Sequence, residues 1–174
     1  KTKNEIALID TSPDLRYQLI KNNIKKIDKV FYSHMHADQT HGINDLRVFY
    51  LKQKNRLPVF ADKQTKKYLL NSFKYCFKKT TEYPPILSIN NLKKKHIFLS
   101  DNVKIELMAI PVKHGKIESI AYIINKKCAY ISDVNKIYTK DINKFKNLKY
   151  FIIDCLRYDP HYSHFNLNDV FKIV

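Results

Sequence analysis

The sequence has few of the residues that mark several classes of protein. Only three of its 174 residues are cysteine, and no two of them form a CxxC pair. This excludes a disulfide scaffold and a thiolate zinc ribbon, and it favours a reducing cytoplasm. No apolar run reaches the roughly 18 residues that a membrane helix needs. The first fifteen residues also lack the apolar block of a signal peptide.

Arginine is scarce although the chain is strongly basic. The net charge is +16, yet only four of the 32 basic residues are arginine, the preferred residue for bidentate phosphate contacts. Lysine, asparagine and isoleucine are all abundant, which favours a compositional bias over a dedicated nucleic-acid surface. A field of this sign still attracts an anionic substrate.

The pattern of apolar residues alternates between strands and helices. This predicts one α/β or α+β domain over residues 1–174. The predicted strands are Glu5–Asp10, Lys29–Ser33, Pro58–Ala61, Ile97–Leu99, Val103–Val112, Ile120–Asn125, Cys128–Ser132 and Tyr150–Asp154. The predicted helices are residues 12–22 with Ser12 as N-cap, then Asn44–Lys54, Gln64–Phe77, Tyr138–Phe145 and Asn166–Val174. The first predicted strand lies close to the first residue, and the last residue, Val174, lies in the middle of a helical pattern. We therefore expect the chain to be part of a longer domain, truncated at both ends.

Three histidines and an aspartate follow the second predicted strand within eight residues, in the pattern HxHxDxxHG from His34 to Gly42. Imidazole nitrogen and carboxylate oxygen are the ligands that zinc and manganese share. For HxH alone, a polar loop with chance histidines is the better interpretation. The full pattern directly after a strand favours a metal site.

Three further candidate ligands follow later predicted strands. His114 and Asp133 come just past the ends of two of them, and His164 comes after a short loop. The only two glycines, Gly42 and Gly115, each follow a histidine of this set, which indicates backbone freedom or close approach there. Two histidines fall outside the pattern: we expect His96 to be exposed, and His161 to be a loop residue or a supporting group.

The order of these motifs resembles the metallo-β-lactamase-fold hydrolases. The segments SHMHADQTHGINDLR, PVKHG, YISDV and IDCLRYDPHYSHFNLNDV, with LIDTSPDLR near the start, are most similar to the branch that contains the phosphoribosyl 1,2-cyclic phosphate phosphodiesterase. The similarity covers essentially the whole chain. It implies a four-layer αββα sandwich with a metal site at one edge of the sheets.

The resemblance also implies a role for each candidate residue. His34, His36, His114 and Asp133 match the ligands of one metal, with Asp133 bridging to a second metal that Asp38 also binds. With one or two zinc or manganese ions per chain, a metal-activated water would attack phosphorus. Asp38 and His164 match catalytic positions, and His164 would protonate the leaving group.

Two departures from the family pattern weaken the second metal site. The family usually has a histidine where this chain has Gln39, and an amide oxygen is a poor ligand for zinc. The family also has a further histidine ligand beyond the last predicted helix. His41 is a candidate replacement, which leaves the second site open.

The leading interpretation is therefore a cytoplasmic, metal-dependent phosphodiesterase acting on a small cyclic or diester phosphate, with a homodimer as one possible state. Arg47 and Arg157 are candidates to hold the phosphate, or else surface ion pairs. An RNA-processing nuclease of the same fold is the alternative, so nucleic acid is a less favoured partner. A thioester hydrolase of the same fold and a truncated remnant with weak or no activity are two further hypotheses.

Overall fold

The computed structural model describes residues 4–173 and divides them into two compact units. The first unit contains the residues up to Leu92 together with Ser100–Asn102. The second contains Lys93–Leu99 and the residues from Val103 onwards. Each unit has its own sheet and its own core, and each contains candidate metal ligands.

The first unit is built on a parallel sheet of four strands in the order β1-β2-β3-β4. Parallel strands are normally buried, and Val30, Val59 and Leu87 at its centre are fully enclosed. The strands are β1 (Ala7–Ile9), β2 (Lys29–Phe31), β3 (Leu57–Ala61) and β4 (Leu87–Asn91). The helices are α1 (Leu15–Lys21), α2 (Ala37–Thr40), α3 (Arg47–Gln53), α4 (Lys63–Ser72) and α5 (Lys74–Phe77), with a 3₁₀ turn at Ile43–Leu46.

Several sequence predictions in this unit need correction. The predicted helix Asn44–Lys54 begins as a 3₁₀ turn and is α-helical only from Arg47, and the short helix α2 was not predicted. Helix α1 begins after Asp14 rather than at Ser12, because the Ser12 carbonyl accepts the Leu15 amide in a preceding turn. The predicted helix Gln64–Phe77 is two helices that break at Phe73. Strand β4 was missed because its asparagine-rich end has low strand propensity, and its pairing with β3 compensates.

The second unit is built on a five-stranded sheet in the order β5-β6-β7-β8-β9. The pairs β6–β7 and β7–β8 are antiparallel, and β8–β9 is parallel. The strands are β5 (Lys95–Ser100), β6 (Val103–His114), β7 (Ile117–Ile124), β8 (Cys128–Ile131) and β9 (Tyr150–Ile153). One 3₁₀ turn (Ile142–Phe145) and α6 (Leu167–Phe171) complete the unit, whose core includes Val112, Ala121, Ile131 and Phe165.

The predicted helix Tyr138–Phe145 is wrong except for its last turn, which is 3₁₀. The final predicted helix is confirmed over Leu167–Phe171, and Asn166 caps it by accepting the Asp169 amide. Val174, its predicted end, lies outside the described residues. Mixed α/β structure with two sheets confirms the predicted fold class. No helix within residues 4–173 combines the length and the apolar character needed to cross a membrane.

Candidate metal centre

Two residues of the first strand's loop hold the HxHxD segment in place. The Asp10 carboxylate accepts the Ser33 amide at 2.7 Å, and Asp10 has a positive φ of 60°. The Thr11 and Tyr32 hydroxyls are hydrogen-bonded at 2.8 Å in the core. Burial raises the pKa of Tyr32 far above its ordinary range, so this phenol stays neutral. The loop after β2 is thus anchored from within its own unit.

Gly42 allows this segment to pack closely against the start of α1. A Cβ built on Gly42 would lie 2.0 Å from the Ser12 carbonyl oxygen, a backbone atom that cannot easily move. The Gly42 amide also donates to the Thr11 carbonyl at 2.9 Å. The prediction that this glycine permits a close approach is therefore confirmed.

His34 and His36 present two ring nitrogens to the same point. His34 is 1% exposed, and its Nδ1 lies 3.0 Å from the Ser33 hydroxyl. Its Nε2 lies 3.0 Å from His36 Nδ1. Two ligands on a tetrahedral zinc ion at ~2.05 Å lie about 3.3 Å apart. The pair therefore has nearly the spacing that two ligands of one ion require.

Asp38 and Gln39 interact with each other at the start of α2. The Gln39 amide donates to Asp38 Oδ2 at 2.9 Å. In the part of the chain that the structure describes, Asp38 does not join His34 and His36 as a third close donor. The His41 ring instead contacts α4 and the residue after it, with Nε2 3.2 Å from the Tyr68 hydroxyl and an edge contact to Phe73.

His114 at the end of β6 has its tautomer set by the backbone. Its Nδ1 lies 2.7 Å from the Ser163 carbonyl oxygen, which can only accept, so Nδ1 carries the proton. In the neutral ring, Nε2 then offers its lone pair. The ring is 3% exposed, and a partner of this kind is typical of metal-binding histidines.

Asp133 and His164 complete a cluster with His114. One donor atom from each of the three residues lies within 4.8 Å of the other two. His164 Nδ1 lies 3.5 Å from Asp133 Oδ1 and 2.7 Å from Asp154 Oδ2. Asp154 is the closer partner, so it holds the orientation of the His164 ring.

Asp154 is a further candidate residue of the site, which the motif analysis missed. Its side chain is 6% exposed, and Oδ2 also accepts the Val134 amide at 3.1 Å. It thereby ties the segment after Asp133 to His164. The available signal was its place directly after β9, much as Asp133 lies just after β8.

Gly115 shapes the turn after His114. It has a positive φ of 56°, and a Cβ there would lie 2.9 Å from Ser163 Cβ. Its amide donates to Asn135 Oδ1 at 2.9 Å. The side chain of Asn135 and the missing side chain of Gly115 together let Ser163 approach His114.

Four other residues that the sequence singled out lie outside the clusters of potential metal ligands. The Arg47 guanidinium lies over the Tyr83 ring at 4.3 Å, and Arg157 is exposed. His96 is half-buried rather than exposed as expected, since its Nε2 accepts the Lys93 amide. His161 is half-buried beside Ser163; burial and then the Arg157 cation lower its pKa.

The donors in each unit have the chemistry that a divalent metal ion requires. Each unit offers imidazole nitrogen, and the second adds a buried carboxylate, which is the mixture that zinc and manganese accept. The fixed tautomer of His114 and the spacing of His34 and His36 are the observations that carry this fit.

Comparison with known proteins decides the family. The model of the beta-lactamase superfamily domain matches residues 6–174, nearly the whole chain. The chain belongs to this superfamily. The resemblance drawn from the motifs is therefore confirmed, and the superfamily implies a divalent metal.

Two curated relatives show how the domain occurs in longer proteins. The chain is 30% identical over 160 residues to the octanoyltransferase of Porphyromonas gingivalis, covering 90% of this chain and 31% of the relative. It is 27% identical over 150 residues to the ribonuclease Z of Prochlorococcus marinus strain MIT 9215, covering 84% and 46%. The chain thus spans about a third to a half of the length of these relatives.

A solved structure matches more fully. The crystal structure of a diphosphatase from the PhnP family superposes with a TM-score of 0.85 at 28% identity, covering 99% of this chain and 65% of that one. This similarity supports the superfamily fold over essentially the whole chain.

Proposed function

We propose that the chain is a metal-dependent hydrolase that cleaves a small cyclic phosphate or phosphodiester. The observation that carries the proposal is the cluster of His114, Asp133 and His164, in which the Ser163 carbonyl sets the tautomer of His114 and Asp154 holds the His164 ring. Similarity to a PhnP-family diphosphatase supports phosphate chemistry.

In this proposal His34, His36, His114 and Asp133 hold the first ion, and Asp38 contributes to a second, weaker site. The histidine-rich donor set favours zinc, and manganese is the second candidate. A bound ion of this kind supplies an activated water and neutralises charge that develops on the phosphate oxygens. Gln39 should weaken this second site, because its amide already donates a hydrogen bond to one oxygen of Asp38.

His164 acts as the proton donor to the leaving alkoxide. Asp154 accepts from Nδ1, which leaves Nε2 as the atom that exchanges the proton. His164 is half-buried, so substrate reaches it while Asp154 stays enclosed. A carboxylate behind an imidazole stabilises the protonated ring that donates.

Hydrolysis of bis(p-nitrophenyl) phosphate tests the proposal. Protein loaded with zinc or manganese should release nitrophenolate, and chelation should abolish the release. His164→Ala should lower turnover by about 10²-fold or more with metal content retained. A control variant at a histidine outside the clusters, His96→Ala, should keep both. Equal rates with and without metal would overturn the proposal, and loss of metal in His164→Ala would overturn the role of His164.

RNA processing is the second candidate. It is favoured by the similarity to ribonuclease Z and by the net charge of +16. An RNA enzyme should bind RNA with an affinity that falls steeply with salt, by about 0.7 log unit per log unit for each phosphate contacted by a cation. Salt-independent binding would leave the small phosphodiester as the substrate class.

Two further assignments remain predictions. The cysteines are free thiols, which supports our assignment to a reducing cytoplasm. A homodimer is testable by light scattering of the metal-loaded protein.

A further inference from the structure

The loop between β9 and α6 carries an exposed aromatic ring beside the metal cluster. Tyr162 is 76% exposed. An aromatic ring buries 150–250 Å² when it is covered, so exposing one next to a site leaves a large contact area unused. The same loop contains His164, which belongs to the cluster.

A series of rings connects Tyr162 to the cluster. The His114 and His164 centroids lie 4.8 Å apart, and those of His164 and His161 lie 5.2 Å apart. The His161 and Tyr162 centroids lie 4.8 Å apart. Exposure rises along this series from 3% at His114 to 76% at Tyr162. The tyrosine is thus the solvent-facing end of the group of rings that starts at a candidate ligand.

Tyr162 is also held in place. Its Cε2 lies 3.3 Å from the point where a Cβ of Gly115 would be, so the ring packs against a bare backbone turn. That turn is fixed by the hydrogen bond from the Gly115 amide to Asn135. A ring that is positioned and still exposed needs little ordering when a ligand stacks on it.

We propose that Tyr162 is a stacking platform for a nucleobase, so that the substrate is a nucleotide phosphodiester rather than a sugar phosphate without a base. This deepens the proposed function and rests on it for the position of the phosphate. Every base has a π-face, and stacking on an aromatic side chain tolerates any sequence. The Arg157 cation, which acts on His161, suits the negative charge of such a ligand.

Exposed tyrosines elsewhere provide matched controls. Tyr17 in the first unit is 65% exposed and Tyr150 on β9 is 56% exposed. Each ring has a lysine ammonium above it, at 5.7 Å and 5.4 Å. Neither belongs to the ring series, so loss of either should not affect base recognition.

Calorimetric titration of manganese-loaded protein with adenosine 5′-monophosphate and with ribose 5-phosphate tests the platform. The two ligands share sugar and phosphate, so their ratio of affinities isolates the base. We expect the nucleotide to bind at least about 5-fold more tightly. Tyr162→Leu should bring the ratio close to one, Tyr162→Phe should keep it, and Tyr17→Leu and Tyr150→Leu should leave it unchanged.

A ratio of one in the unaltered protein, no binding of either ligand, or a ratio that survives Tyr162→Leu would each overturn the inference. None of these depends on turnover. Metal-dependent release of nitrophenolate, measured separately, decides the proposed function, so the two failures are distinguishable.

Discussion

Replacement of Asp154 by asparagine removes a charge behind His164 while keeping the shape of the side chain. Asp154 Oδ2 accepts from His164 Nδ1 at 2.7 Å and from the Val134 amide at 3.1 Å. Asparagine keeps one oxygen that can accept both, but hydrogen bonds to a charged group contribute ~1.5–3 kcal/mol and neutral ones ~0.5–1.5 kcal/mol. The free energy of unfolding should therefore fall by about 1–2 kcal/mol.

Turnover should fall further than stability. The residue that orients a catalytic or ligating histidine typically affects activity by about 10–100-fold. Three measurements on the same Asp154→Asn preparation test this. Urea unfolding gives the stability, steady-state hydrolysis of the phosphodiester gives the turnover, and elemental analysis gives the metal content. Asp169→Asn is the control, since this carboxylate is 37% exposed and pairs only loosely with Lys172 at 3.7 Å. Full turnover in Asp154→Asn would refute the positioning role, and loss of metal would show that this pair holds the ion.

Three other predictions test separate parts of the molecule. His36→Ala should lower metal content by elemental analysis, because it removes one of two nitrogens 3.0 Å apart; unchanged content would contradict its ligand role. Gly42→Ala should prevent stable folding, because its Cβ would meet the Ser12 oxygen at 2.0 Å; a melting temperature close to that of the unaltered protein would refute the close approach. Cys155 is exposed and Cys76 is buried, so Cys155 should react with a thiol reagent at pH 8 while Cys76 reacts only after unfolding. Burial also raises the pKa of Cys76 from 9.0 to about 11. The free energy of unfolding should therefore fall as the pH rises above 9.0, because the thiol ionises first in the unfolded chain. Rapid labelling of Cys76 in the native protein would contradict its burial.

The sequence predicted the candidate residues because strand ends are visible in it. His114 is the last residue of β6, and only Ser132 separates Asp133 from the end of β8, as the apolar runs indicated. Gly42 and Gly115 were recognisable because so few glycines occur in the chain. Local patterns of this kind indicate both that a residue lies at the end of a strand and that the backbone there needs a glycine.

What the sequence did not reveal depends on contacts between distant residues. The His114 hydrogen bond reaches a carbonyl 49 residues away, and only the folded loop places Ser163 there. Asp154 likewise accepts hydrogen bonds from His164 and from the Val134 amide, which are 10 and 20 residues away. Strand β4 was missed for a related reason, since its pairing with β3 outweighs the low propensity of its asparagines.

Metal stoichiometry per chain tests the central claim most directly. Protein purified without chelator or metal-affinity resin and dialysed against limiting zinc should retain one ion per chain by elemental analysis, with a second ion only at higher concentration. The His34→Ala/His114→Ala double variant should retain none, because both of its buried imidazoles are gone. Less than about one ion in ten chains of the unaltered protein, with unfolding stability unchanged by added metal, would contradict a metal-dependent hydrolase.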